Sequence, residues 1–96
     1  MAVLFPPRDD PARLIVLDEQ VLADLTYWIR TEPRTAMRIV QLIEHASRDP
    51  LQGIGKPEPL KHRGADYWSR RITQEHRLVY LVRSDRVVFI QARYHY

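Results

Sequence analysis

Tyr67-Trp68-Ser69-Arg70-Arg71-Ile72-Thr73-Gln74-Glu75-His76-Arg77-Leu78-Val79-Tyr80-Leu81-Val82 is rich in aromatic and β-branched residues and interrupted once by a short polar cluster. A strand sends successive side chains to opposite faces, so this composition with period two reads as paired strands rather than helix. Tyr67–Ile72 is one strand, Thr73-Gln74-Glu75 a turn, and His76–Val82 the next strand. Ser84-Asp85 turns the chain again into a last strand over Val87–Tyr94, which makes an antiparallel meander. Alternation sets Leu78, Tyr80 and Val82 on one face and Arg77, Val79, Leu81 and Arg83 on the other. It also puts Arg93 and His95 on the side of Phe89 and Gln91.

Upstream the period lengthens. Arg13–Leu17 is a short apolar strand leading into Asp18, an N-cap residue type. From Glu19 to Thr31, Val21, Leu22, Leu25, Trp28 and Ile29 recur at helical spacing. Pro33 suits the first turn of a second helix, whose apolar stripe is Ala36, Ile39, Val40, Ile43 and Ala46 and which ends at Asp49-Pro50. So short a turn between them predicts an antiparallel hairpin. The segment 50–59 holds Gly53, Gly55, Pro57 and Pro59, which forbids a regular helix and argues against a central strand; it either holds Glu58 rigidly at a sheet edge or is a plain crossover loop with a surface glutamate, the commoner case for Pro-Glu-Pro taken alone. The class is α+β: an N-terminal strand, then a two-helix hairpin packed on one face of a mainly antiparallel sheet, the other face being left for function.

A chain of 96 residues supports one domain with one modest core. We place it at residues 13–96, with 1–12 as an extension, either flexible, an ordered flap or the product of an upstream start. The chain lacks cysteine, which excludes disulfides and thiolate metal sites and makes the cytoplasm the expected location. The start lacks the basic region and apolar run of a signal peptide, and no stretch approaches the roughly 20 apolar residues of a membrane span. Residues 1–49 carry six Lys/Arg and eight Asp/Glu, and residues 50–96 carry nine and four, so a charge of −2 is followed by +5 within the total of +3. A basic half-domain suits a polyanionic partner through counterion release, or is a solvated surface.

The final residues, Arg93-Tyr94-His95-Tyr96, are bulky and polar or ionisable at a position where chains normally fray, a costly placement unless they meet something. Each has a plainer reading. A terminal histidine is commonly a surface residue, Arg70 and Arg71 can be edge charges that discourage aggregation, and Trp68 and Tyr94 can be core. His45, His62 and His76 make no metal set without carboxylate or thiolate companions.

Four blocks taken together outweigh these readings: Gly55-Lys56-Pro57-Glu58-Pro59-Leu60-Lys61-His62, Trp68-Ser69-Arg70-Arg71-Ile72-Thr73, Glu75-His76-Arg77-Leu78-Val79-Tyr80 and Arg93-Tyr94-His95-Tyr96. In this order they resemble the YoeB/Txe toxins of bacterial toxin–antitoxin modules, within the RelE-like superfamily of ribosome-dependent mRNA endonucleases. The resemblance runs over residues 14–96 and includes the aromatic pair Tyr27-Trp28; residues 1–12 and Leu17, where relatives often have tryptophan, depart from it.

The resemblance implies a RelE-like fold and cleavage of translated mRNA by attack of the RNA's own 2′-hydroxyl. Glu58 would be the base, His95 or Tyr96 the acid, and Arg77 the cation at the phosphate, with Lys61, Arg71, Arg70, Lys56 and Arg93 contacting RNA. It implies no cofactor and no metal. The implied partners are the ribosome and mRNA, a cognate YefM/Phd-like antitoxin, operator DNA through the antitoxin complex, and a second copy in a homodimer, with no membrane. Two alternatives stand beside it: a noncatalytic ribosome- or RNA-binding translation inhibitor, and a structural partner that holds an antitoxin on its operator.

Overall fold

The structure is a computed structural model that describes the backbone of Ala2–Val3 and the whole of residues 12–94. Strand β1 (Ala2–Val3) is followed by β2 (Leu14–Leu17), helices α1 (Glu19–Thr31) and α2 (Pro33–Arg48), and strands β3 (Glu58–Pro59), β4 (Tyr67–Arg71), β5 (Arg77–Val82) and β6 (Arg86–Gln91). The sheet order is β1-β2-β6-β5-β4-β3. Every pairing is antiparallel except β2 with β6, where Leu14–Leu17 runs alongside Arg86–Phe89. Ala2–Val3 pairs antiparallel with Ile15 and Val16, so part of the N-terminal extension adds an edge strand; residues 4–11 lie outside the described residues.

Local chemistry sets the helix ends. The Asp18 carboxylate accepts from the Gln20 N–H at the start of α1, satisfying one of the donors that a first turn leaves open. Pro33 opens α2 where its missing N–H costs nothing. One residue, Glu32, separates the helices, and its N–H bonds back to the Trp28 carbonyl at 2.7 Å.

The core lies between the hairpin and one face of the sheet. Ile15, Val21, Trp28, Ile39, Leu42, Leu78, Tyr80, Val87 and Phe89 are its main members. The stripe read for α2 needs one exchange: Val40 is 54% exposed, whereas Leu42 is fully buried. On α1, Ile29 is 61% exposed. With Leu25, Pro33, Ala36, Met37 and Gln41, these two residues line an apolar cleft of about 400 Å³ between the helices. Among the described residues, no helix is long and apolar enough to cross a membrane.

The last strand is shorter than its sequence predicts. β6 ends at Gln91, and its register against β5 shifts by one residue, Tyr80 facing Phe89 while Val79 faces Gln91. The extra residue, Ile90, reverses the phase of alternation. Gln91 therefore faces the open side while Phe89 is buried in the core, and the shared side expected for Phe89, Gln91 and Arg93 does not form.

Candidate functional site

Cross-strand partners share a face, which lets the register assign side chains. Glu58 faces Ser69, Ser69 faces Val79 and Val79 faces Gln91, a row across four strands on the side away from the helices. Two residues along, Arg71 faces Arg77 directly. Strand spacing and rise put the Glu58 and Arg77 Cα atoms about 12 Å apart and Glu58 and Arg71 about 8 Å apart. Side chains of these lengths can converge on one phosphodiester from such separations.

Like charges directly opposite in a sheet are destabilising unless an anion or solvent intervenes. Arg71 is exposed, whereas Arg77 is half-buried with its Nε and Nη1 atoms shut off from solvent, so Arg71 carries the more accessible positive charge on the face that Glu58 shares. Arg38 of α2 donates to the carbonyls of Arg71 and Ile72, each at 3.2 Å, and so fixes the end of β4. Between the long side chains, Ser69 and Val79 are fully buried, and the Ser69 hydroxyl has no hydrogen-bond partner among the described residues.

Glu58 is held by the segment before it. Gly55 has φ +82°, and a Cβ there would lie 2.8 Å from Leu42 Cδ2 and 3.1 Å from Arg70 Cβ. Its carbonyl accepts from the Arg71 N–H at 2.7 Å. Glycine is thus required both by the left-handed backbone and by the close approach. Lys56 follows with φ 50° and is exposed, as is Lys61 in the turn after β3. The edge position expected for Glu58 is what β3 provides, with Pro59 at the sheet margin where its missing N–H is tolerated.

Arg70, which the resemblance implies as an RNA contact, is instead fully buried on the core face of β4, opposite Leu78. Its guanidinium donates to the Tyr80 hydroxyl, to the Ile54 carbonyl at 3.0 Å and to the carbonyls of Asp49 and Gln52. Arg70 therefore ties the loop after α2 to the sheet and cannot reach a surface ligand. Burial raises the Tyr80 hydroxyl above the usual phenol value, with the Arg70 guanidinium opposing that shift through its hydrogen bond and charge. The neutral hydroxyl donates to the Pro50 carbonyl at 2.7 Å.

The segment after β6 is held by three side-chain bonds and one backbone bond to β5 rather than by a continuous ladder. Asp24 accepts from the Ala92 N–H at 2.8 Å, and Trp28 Nε1 donates to the Ala92 carbonyl at 2.9 Å. The Tyr94 N–H donates to His76 Nδ1 at 2.7 Å, and the Tyr94 carbonyl accepts from the Arg77 N–H at 3.2 Å. Sequence reasoning missed this clamp. Asp24 stands outside the apolar stripe of α1, yet it is only 3% exposed; its i,i+4 spacing to Trp28 is the available signal.

Arg93, expected to contact RNA, stacks its guanidinium 3.4 Å from the Tyr27 ring centre and 4.6 Å from that of Tyr94. Tyr94, read as core, is 58% exposed and takes φ 62°, which ends the extended run. Trp68 does pack against the core. A cleft of about 310 Å³ lined by Gln20, Asp24, Gln91, Arg93 and Tyr94 runs beside this segment. His95 and Tyr96, the terminal acid candidates, lie outside the described residues.

Residues 17–96 match the family model of the YoeB-like toxin of bacterial type II toxin–antitoxin systems. The toxin YoeB of Mycobacterium bovis is 48% identical over 84 residues, covering 88% of this chain and 99% of that protein. A YoeB/ParE toxin from Agrobacterium tumefaciens superposes with a TM-score of 0.78 at 46% identity, covering 85% of this chain and 98% of that one. From Staphylococcus aureus, a YoeB dimer gives 0.78 at 37% identity over 85% of this chain and 95% of that one. The YoeB–YefM complex of the same organism gives 0.75 at 36%, over 90% and 100%. With a family model covering most of the chain and a relative near half identity along its whole length, the chain belongs to the YoeB-like toxins of bacterial type II toxin–antitoxin systems.

Proposed function

We propose that this toxin is a ribosome-dependent endoribonuclease that cleaves translated mRNA by internal transesterification. The observation that carries the reading is the common open face of Glu58, Arg71 and Arg77, with the backbone of Tyr94 bonded to that of Arg77 one residue before His95. RNA brings its own nucleophile, so the protein needs a base, an acid and cations. Glu58 takes the proton of the 2′-hydroxyl, and the 2′-oxygen attacks the adjacent phosphorus. Arg77, with Arg71 and Lys61, balances charge on the phosphorane-like transition state. The P–O5′ bond breaks as His95, or Tyr96, gives a proton to the leaving oxygen. The products are a 2′,3′-cyclic phosphate and a 5′-hydroxyl, and the scheme draws on side chains alone, with no cofactor.

A shallow basic face holds a strand by its phosphates but does little to orient one bond. The decoding site of the ribosome supplies that alignment, which is worth several kcal/mol. Free RNA is then a poor substrate. Neutralisation by a YefM/Phd-like antitoxin follows the YoeB–YefM assembly of the relative, and the dimer of that relative supports a homodimer here. Operator DNA binding belongs to the antitoxin complex, and the toxin acts in the cytoplasm.

The test is to incubate the protein with programmed ribosomes and map transcript ends, comparing wild type with Glu58→Ala, Arg77→Ala and His95→Ala. Internal 3′ ends bearing a cyclic phosphate are expected with wild type, and a large loss of cutting with each variant. Full-length messages under translation arrest would instead favour a noncatalytic inhibitor. Harmless expression without antitoxin would favour a structural partner.

A further inference from the structure

We infer that His76 is a positioning residue, which as a neutral imidazole protonated on Nε2 holds the C-terminal catalytic segment by accepting the Tyr94 N–H on Nδ1. The inference rests on the nuclease reading for its purpose and on geometry for its substance. An amide nitrogen can only donate, so the 2.7 Å contact between Tyr94 N and His76 Nδ1 requires a lone pair on Nδ1. The remaining proton of the neutral ring then sits on Nε2.

The imidazole is itself fixed on several sides. Its ring meets Trp28 edge-on at 4.8 Å between centres and Tyr94 at 5.5 Å. The backbone of His76 is held as well, its amide N–H donating to Thr73 Oγ1 at 3.2 Å and its carbonyl accepting from the Ile72 N–H at 2.9 Å. Trp28 in turn holds the Ala92 carbonyl. One aromatic unit from α1 and the β4–β5 turn thus grips the tail at two points two residues apart. Beyond Gln91 the tail has left β6, and Tyr94 sits at positive φ, so these side chains, together with the backbone bond from the Arg77 N–H to the Tyr94 carbonyl, take over from the ladder in placing residues 92–94.

The test uses the full chain and two substitutions that separate ring from acceptor. His76→Phe keeps an aromatic ring between Trp28 and Tyr94 but has no acceptor. His76→Asn loses the ring but carries an oxygen where Nδ1 stood. Imidazole nitrogen NMR on wild type is expected to report an unprotonated acceptor Nδ1. Amide exchange at Tyr94 is expected to be about fivefold faster or more in the Phe variant, the equivalent of one net hydrogen bond, and near wild type in the Asn variant.

On programmed ribosomes the Phe variant is expected to lose about 10- to 100-fold in kcat with little change in KM, since a displacement of roughly 1 Å costs up to about 100-fold. The Asn variant is expected to recover most of that loss. A protonated Nδ1, or equal Tyr94 exchange in wild type and the Phe variant, would overturn the bond. Faster exchange with unchanged kcat, or an Asn variant no better than the Phe variant, would overturn the positioning role. If wild type cuts no message, the nuclease reading fails and the catalytic purpose fails with it, while exchange and NMR still decide the bond by themselves.

Discussion

Arg70 and Arg71 are adjacent in sequence and chemically alike, yet replacing each by methionine is expected to produce opposite phenotypes. Arg70 is fully buried and makes four side-chain hydrogen bonds, three of them to carbonyls of the loop after α2. A hydrogen bond from a charged donor contributes about 1.5–3 kcal/mol, but four on one guanidinium do not add. Removing one partner of a buried charged cluster typically costs about 3–5 kcal/mol. Two effects reduce that figure here: methionine avoids the desolvation of the cation, and Asp49, Gln52 and Ile54 are exposed, so water can reach the loop they belong to. We expect about 2–4 kcal/mol from Arg70→Met, set against a total of about 5–15 kcal/mol for a typical domain. At about 4–8 °C per kcal/mol, Tm falls by about 10–30 °C. Arg71→Met, on an exposed position opposite Arg77, is expected to stay within about 0.5 kcal/mol of wild type or to gain slightly from relieved repulsion. Urea titrations followed by the fluorescence of Trp28 and Trp68 measure both. Ribosome affinity across a salt series supplies the complementary reading, with Arg71→Met reducing the salt slope by about one phosphate contact, and Arg70→Met leaving it unchanged for the folded fraction. If Arg70→Met keeps its stability and reduces the salt slope instead, the buried anchor is wrong and Arg70 is the RNA contact that its sequence suggests.

Gly55→Ala combines a left-handed backbone with a 2.8 Å approach to Leu42, so a loss of about 2–3 kcal/mol is expected in the same titration, with transcript cutting reduced further because Gly55 sets the path to Glu58. Asp24→Ala leaves the Ala92 N–H without its acceptor, at a cost of about 1–3 kcal/mol, and is expected to speed amide exchange at Ala92 before β6 itself opens. Tyr80 ionises less readily folded than unfolded, so its contribution to stability is fully present below the unfolded phenol value, about 10, and is lost as pH rises through the higher folded value. Wild type should therefore lose stability steeply on the alkaline side, and Tyr80→Phe, less stable at neutral pH for want of the Pro50 bond, should show a flatter alkaline limb in pH-dependent melting.

Why the helices and the meander were legible, while the clamp and Arg70 were not, follows from the range of the forces involved. Asp18, Pro33 and the apolar spacings act within a turn or two of themselves, so they announce α1 and α2 to the residue. The β4–β5 pairing is similarly local, its turn built by Thr73 Oγ1 accepting two nearby backbone N–H groups. Arg70, by contrast, sits in a period-two series with Trp68 and Ile72, and strict alternation would have sent it inward with them. A guanidinium looks unfit for a core until its partners are known, and those partners are carbonyls 16 to 21 residues away in an irregular loop, which no local rule can supply. The same holds for Asp24 and His76, whose bonds span 68 and 18 residues to a segment that should have been strand by composition. There the one-residue shift at Ile90 breaks the alternation, and side chains take over from the ladder. The candidate site divides along this line. Glu58, Arg71 and Arg77 enter as candidates through the resemblance of their blocks to a toxin family, and their faces follow only from the strand pairing of the structure, whereas the path of residues 92–94 depends on bonds from Asp24, Trp28 and His76 that no local rule announces.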